Sequence, residues 1–496
     1  MFSLSQPEAA DRIRRLACAL GLVLSGAMVF RSQVGGDQLN LLARGWLLAA
    51  RGELVPYGNP MSLGGNGPGI ATSLLVGAPI AVWANHRAPV VLLWLLHLIA
   101  WILVDRRLRT VLSPWERAAL AVVYWLNPWR LTASAFLWNP NFLFFAAALH
   151  FTTAFDSRER PQWLSSMLHV LALGVGAQLH PAMLLLIVAS ILLWLRGAWR
   201  VHWGGIFLGA VAILAMLVPW WEAVAHAPAI VSVAHGFPFR GLLWVQPWLK
   251  GLSYWLRYPS LLIDRQNIAF DFSALVGARA DRLLVPAARG LVLAAGALSL
   301  PPVLVANVEF LRRRFSAGVR LACARTKTAD ARSFLDDYAF WCLVAAVLVF
   351  AAAPTTPQSW QAVPLFLAAL LPFVFWLGRR LAGANDGTSA PAGPVLRSPL
   401  VARRWLMAAI VSAVGLELAI AGGAPSFRCG GRDAVGFPQR SWSPMFDELG
   451  LNRTCRWELD VPGKWWPDVL PEETKPETMA RPDGPHAFRS SARRSP

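Results

Sequence analysis

One acid stands at the edge of an apolar block. It is Asp37, in Gly35-Gly36-Asp37-Gln38, just past the segment Leu16 to Phe30. A carboxylate placed there has the chemistry of a general base toward a hydroxyl. The run that follows, Leu39 to Arg51, has a helical split: Asn40, Arg44 and Arg51 fall on one side, and Leu42, Trp46 and Ala49 on the other. Such a helix lies in a membrane interface. Asp37 falls at its N-cap position, where Asp is favoured by about 0.5–2 kcal/mol over Ala. Capping and catalysis both account for the acid, and they are compatible.

Further polar residues sit at turns between apolar segments. Gln178 and His180 lie in Gly176-Ala177-Gln178-Leu179-His180-Pro181, and Asn139 in Trp138-Asn139-Pro140-Asn141, where Asn before Pro is also an ordinary turn residue. Gln358 belongs to the turn Thr355 to Gln361. The stretch 222–289 combines Arg240, Lys250, Arg257 and Arg265 with many aromatics, a pattern shared by sugar-stacking surfaces and by interfacial aromatic belts. His97, His150 and His169 fall inside apolar segments and read as bundle-packing residues.

The elements that must position these groups are membrane spans. The 496 residues are 56% hydrophobic and only 15% charged, with a mean hydropathy of +0.45, and the apolar residues come in long blocks. The composition predicts an all-α polytopic membrane protein. About eleven spans (range 10–13) are expected, near 16–30, 89–104, 115–131, 142–155, 164–178, 181–195, 204–221, 290–305, 339–353, 362–377 and 405–422. The net charge of +18 sits in short Arg clusters between these blocks, so it sets orientation and does not mark a nucleic-acid partner. If the apolar block 69–84 lies in the outer interface, the clusters at Arg106-Arg107, Arg158 with Arg160, Arg196 with Arg200, Arg312-Arg313-Arg314, Arg379-Arg380 and Arg403-Arg404 all face inside. The expected orientation is then N-terminus cytoplasmic and C-terminus periplasmic.

The domain organisation that follows is a membrane domain over 1–422 and a periplasmic, partly disordered tail over 423–496. The membrane domain includes a first periplasmic loop at 31–87 and a large one at 222–289. Arg12, Arg14 and Arg15 precede the first apolar segment with no small-residue cleavage site after it, so it reads as a retained span. In the tail, Cys429 and Cys455 would form a disulfide in an oxidising compartment.

An acid after the first span, a short helix ending in Gly-Glu-Leu-Val-Pro-Tyr, the turn Gly64-Gly65-Asn66-Gly67-Pro68-Gly69 and then an interfacial apolar segment together resemble the GT-C fold. They are similar in particular to the protein O-mannosyltransferases and lipid A aminoarabinose transferases, over residues 10–200. The resemblance implies an inverting glycosyltransferase of a bacterial inner membrane. Its donor would be a polyprenyl-phosphate-linked sugar in the lipid bilayer, and its acceptor a glycolipid, glycan or protein. It implies that Asp37 handles the sugar transfer, that Asn139 stands where the family often has an acid before Pro, and that Gln38 replaces a second acid. His180 takes the place of a Lys looking toward the lipid phosphate. The turn holding Gln358 lacks the family's basic residue, which leaves Arg240, Lys250, Arg257 and Arg265 to counter the phosphate charge. No cofactor is expected, although one acid and a donor phosphate leave room for a weakly held divalent cation. Two other readings stand beside this one, an O-antigen ligase or polymerase and a non-enzymatic transporter or flippase of lipid-linked sugars. The missing first-loop acid in the former, and the scarcity here of mid-span charges such as Glu417 for the latter, favour the transferase.

Overall fold

The computed structural model describes residues 7–29, 34, 36–61, 65–134, 136–226, 244–260, 263, 273–316, 330–382, 428–429, 439–451 and 456–457. Helix α1 (Pro7–Val29) leads to α2 (Gly36–Trp46), which runs on through one π-helical turn, Leu47–Arg51, and ends at Gly52 with φ 70. Strands β1 (Tyr57–Pro60) and β2 (Asn66–Pro68) pair antiparallel, and α3 (Ala71–Val82) follows. With 12 residues, α3 is about 18 Å long. A hydrocarbon core is roughly 30 Å thick. The apolar block 69–84 thus forms a helix shorter than a hydrocarbon core is thick, as does the segment Leu184–Leu195 further on.

After α4 (Ala88–Leu108), the segment expected to span at 115–131 is broken in two. Helix α5 (Pro114–Leu120) opens on a reciprocal cap between Ser113 and Glu116 and loosens into a π turn at Ala121–Trp125. Helix α6 (Pro128–Ser134) restarts on a proline, which has no N–H to continue the preceding helix. Asn127 bridges the break: its Nδ2 donates to the carbonyls of Val123 (2.8 Å) and Tyr258 (2.7 Å), and its Oδ1 accepts from the Trp129 N–H (3.0 Å). Then come α7 (Leu143–Asp156), α8 (Trp163–Leu179), α9 (Leu184–Leu195) and α10 (Trp203–His226).

Within 222–289, expected as loop, the chain forms α11 (Val245–Arg257) and the start of α12 (Ser273–Ser316), which bends at Gly277. Helices α13 (Ala331–Ala351) and α14 (Ser359–Ala382) complete the bundle. Four helices among the described residues are long and apolar enough to cross a membrane: α4, α10, α13 and α14. The chain is a predominantly helical, multi-pass membrane protein. Helix α14 is its hub, buried at every residue from Phe366 to Gly378, which only a helix enclosed by others can be. The expected span 405–422, Arg240, Arg265 and Cys455 lie outside the described residues.

The arginine clusters gather at one end of the bundle and tie helices together there. Arg107 pairs with Asp156 (2.7 Å), Arg117 with Asp105 (3.1 Å), Arg332 with Glu116 (2.7 Å), Arg380 with Glu309 (3.1 Å) and Arg314 with Asp337. At the other end lie α2, the β hairpin, α3 and a helix from the tail, α15 (Gln439–Glu448). Met445, Phe446, Leu449 and Leu451 are buried there, Trp46 Nε1 donates to Glu448 Oε2 (2.6 Å), and the His86 N–H donates to the Leu449 carbonyl (3.1 Å). Composition gave no sign that this part of the tail would dock.

Candidate active site

The site lies at the end opposite the arginine pairs, where turns from distant parts of the chain converge. Asp37 is the second residue of α2, one place inside the expected cap, and its side chain is exposed. Its Oδ2 accepts from Trp138 Nε1 (3.1 Å), and its carbonyl accepts from Asn59 Nδ2 (3.2 Å). The first turn of α2 places further partial positive charge beside the carboxylate.

What holds α2 in place is its polar side. Asn40 and Arg44 are fully buried, because this side faces the β hairpin and not water. Arg44 Nη1 donates to Asn59 Oδ1 (2.7 Å), and its guanidinium lies 5.7 Å from the centre of the Tyr57 ring. Asn59 is thereby oriented to grip the main chain at Asp37. Of the polar side seen in the sequence, Asn40 and Arg44 form a seam inside the protein, whereas Arg51 is exposed and lies over the Trp46 ring (4.9 Å).

Trp138 joins Asp37 to a second group of residues. Its ring meets Phe136 (centroids 5.8 Å apart) and Trp360 (4.9 Å). Trp360 follows Gln358 at the start of α14. Gln358 donates its backbone N–H to Gln361 Oε1 (2.8 Å), and its own Oε1 accepts from Lys250 Nζ (3.0 Å). A cation from α11 thus meets the Thr355–Gln361 turn. That helix is pinned where it is needed: Tyr258, just past its end, donates through Oη to the Ser359 carbonyl (2.6 Å) and accepts at its own carbonyl from Asn127. Lys250 is one of only four lysines among 46 cationic side chains. That rarity is the sequence signal that marks it.

Arg257, two turns further along α11, stacks over Trp129 (5.5 Å) and Tyr254 (5.1 Å).

Asn139 and Gln178 meet the hairpin from the other side. Asn139 opens a 3-10 turn, Asn139–Phe142, that feeds α7. Gln178, near the end of α8, accepts through Oε1 from the Ala71 N–H (3.3 Å) and so fastens α3. His180 is half-buried in the turn between α8 and α9. Its Nδ1 accepts from the Ala182 N–H (3.1 Å), capping the turn Pro181–Met183. Burial of the ring pushes its pKa down to about 4, so at neutral pH it offers an N–H at Nε2 and no charge.

The structure brings Asp37, Asn139 and Gln178 together around one hairpin, and joins Gln358 to Lys250. It gives His180 and Arg257 local partners of their own. Arg240 is outside the described residues. Trp138, Asn59 and Thr72, which lines the same hairpin, carry no motif and were not singled out by sequence. Among the described residues no three of His, Cys, Asp and Glu come together as a metal site.

No protein-family model and no curated protein matches the sequence. Among solved structures, the chain is similar to ArnT from Cupriavidus metallidurans bound to undecaprenyl phosphate, with 13% identity, a TM-score of 0.45, and coverage of 82% of this chain and 76% of that one. For the apo state of the same protein the values are 13%, 0.46, 82% and 75%. Likeness at this score assigns neither a fold family nor an activity.

Proposed function

We propose that the chain is a GT-C-type membrane glycosyltransferase. It moves a sugar from a polyprenyl-phosphate donor to a hydroxyl of a glycolipid, glycan or protein on the periplasmic face of a bacterial inner membrane. The observation that carries this reading is a run of contacts that leads from an acid to a cation. Asp37 accepts from Trp138, whose ring meets Trp360, and Lys250 donates to Gln358, two residues before Trp360.

Each part has a role in an in-line displacement. Asp37 takes the proton from the acceptor hydroxyl as its oxygen bonds to the anomeric carbon. The bond from that carbon to the phosphate oxygen breaks, and its electron pair stays on the phosphate. The ammonium of Lys250 stabilises the charge growing there. Attack from the face opposite the phosphate inverts the anomeric centre. The indoles of Trp138 and Trp360 offer apolar faces for the sugar ring. A divalent ion shared by Asp37 and the donor phosphate would find one protein carboxylate here, so no step is assigned to it, and transfer is expected to survive EDTA.

The test is Asp37→Asn in membranes supplied with polyprenyl-phosphate sugars. Transfer is expected to fall by about 10²–10⁴-fold, with the protein still folded and inserted. Unchanged transfer would sink the assignment of the base. Assaying the purified protein in detergent removes sidedness, so transfer that persists there excludes a flippase.

A further inference from the structure

Around the β hairpin, three neutral side chains are held out of water with hydrogen-bonding capacity unused. Thr72 and Gln178 are each 2% exposed and Asn139 is 7% exposed. Among the described residues, Thr72 Oγ1, Gln178 Nε2 and Asn139 Oδ1 have no hydrogen-bond partner. Buried polar groups are nearly always paired, because leaving one unpaired forfeits its hydration with nothing in return. Three such atoms in one place need an explanation.

They do lie in one place. A Cβ on Gly58 would come 3.2 Å from Thr72 Oγ1 and 3.7 Å from Asn139 Nδ2, and one on Gly67 would come 3.3 Å from the Gln178 carbonyl. Gly69, at φ +83, lies so close to the Gln178 amide that any Cβ would collide with it. Three glycines therefore let the hairpin backbone lie flush over the hydroxyl and the two amides. The cluster also flanks the acid on both sides. Asn59, next to Gly58, holds the Asp37 carbonyl, and Trp138, next to Asn139, holds its carboxylate.

Resting on the glycosyltransferase reading, we infer that Thr72, Asn139 and Gln178 form the subsite for the hydroxyls of the transferred sugar, and that this sugar carries no ionised substituent. A hydroxyl both donates and accepts, so sugar hydroxyls meet the free amide N–H of Gln178, the free amide oxygen of Asn139 and the hydroxyl of Thr72 alike. A phosphate would want the cation at Lys250; an ammonium on the sugar would pair with Asp37 and take it from the acceptor hydroxyl, and a carboxylate would stand beside the like charge of Asp37. The hairpin must lift from its glycines to admit the ring, and the unpaired polar atoms beneath it favour that opening. Sites built to hydrogen-bond a ligand discriminate strongly against one that leaves their groups unpaired.

The test uses full-length protein in detergent. It is titrated with polyprenyl phosphate, with polyprenyl phosphates bearing glucose, mannose or galactose, and with one bearing 4-amino-4-deoxyarabinose. At least one neutral hexose lipid is expected to bind about tenfold more tightly than bare polyprenyl phosphate, and the amino sugar no more tightly. Gln178→Glu keeps the acceptor for the Ala71 N–H but removes the free donor, and Thr72→Val removes only the hydroxyl. Each is expected to erase most of the hexose preference. Thr72→Val should also raise the unfolding temperature of the ligand-free protein, because it deletes an unpaired buried group. If no hexose binds more tightly than the bare lipid, or if both variants keep the preference whatever their unfolding temperature, the subsite is wrong and the donor reading stands. If bare polyprenyl phosphate does not bind either, the donor reading falls with it.

Discussion

At the scale of single residues, the acid can be tested through its neighbours without being touched. Trp138→Phe removes the indole N–H from the Asp37 carboxylate but keeps an aromatic ring against Trp360. A hydrogen bond to a charged group is worth about 1.5–3 kcal/mol, toward the low end at an exposed site. The expected outcome is a roughly tenfold lower kcat with the donor KM little changed, measured in the transfer assay. Lys250→Gln should instead raise the donor KM as well as lower kcat, since it removes the positive charge from the phosphate side. His180 gives a pH signature. Folded, its imidazole is held near 4 by burial, against 6.5 for an unperturbed histidine. Acidification therefore protonates the unfolded chain first. The contribution of neutral His180 is complete above pH 6.5 and is lost as pH falls from there toward 4, by at most about 1.4 kcal/mol per unit. Unfolding temperatures followed from pH 7 to pH 4.5 should drop more steeply in the native protein than in His180→Asn, which keeps a capping side chain.

At the scale of elements, the hairpin and the docked tail helix make the sharpest demands. Gly69→Ala forces an L side chain into positive φ, at about 1–2 kcal/mol, and drives its methyl into Gln178. Loss of transfer together with a lower unfolding temperature is expected, whereas Gly52→Ala, with nothing near its Cβ, should show only the backbone cost. Leu449 is fully buried under α15, and Leu449→Ala should cost about 2–5 kcal/mol, read as a fall in thermal midpoint. What the sequence disclosed at this scale was local. The helical split after Asp37, the break at His180-Pro181 and the shortness of the block 69–84 follow from periodicity, proline and length. That both sides of α2 meet protein did not follow, because a polar stripe looks the same whether it faces water or an asparagine and a tyrosine. Lys250 could be counted as a cation, but its place beside Gln358 depends on α11 being pinned by Asn127 and Tyr258, partners 131 residues apart.

At the scale of the whole molecule, charge and site occupy opposite ends. Arg107, Arg117, Arg314, Arg332 and Arg380 find their carboxylates at one end, and Asp37, Lys250 and the hairpin crowd the other. This polarity was legible in the sequence, because orientation is written in short runs of arginine that need no tertiary structure to be read. In a cysteine-free background, a cysteine at Gly52 should react with a membrane-impermeant thiol reagent added to spheroplasts, and one at Arg109 should react only after lysis. The reverse pattern would place the site in the cytoplasm. One contact also sets a schedule. Trp46 and Glu448 are 402 residues apart, and ribosomes add roughly 5–20 residues per second. The far end of the helix that carries Asp37 therefore waits roughly 20–80 s after its own synthesis for the partner that braces it. The first loop to be made is among the last parts of the protein to be finished.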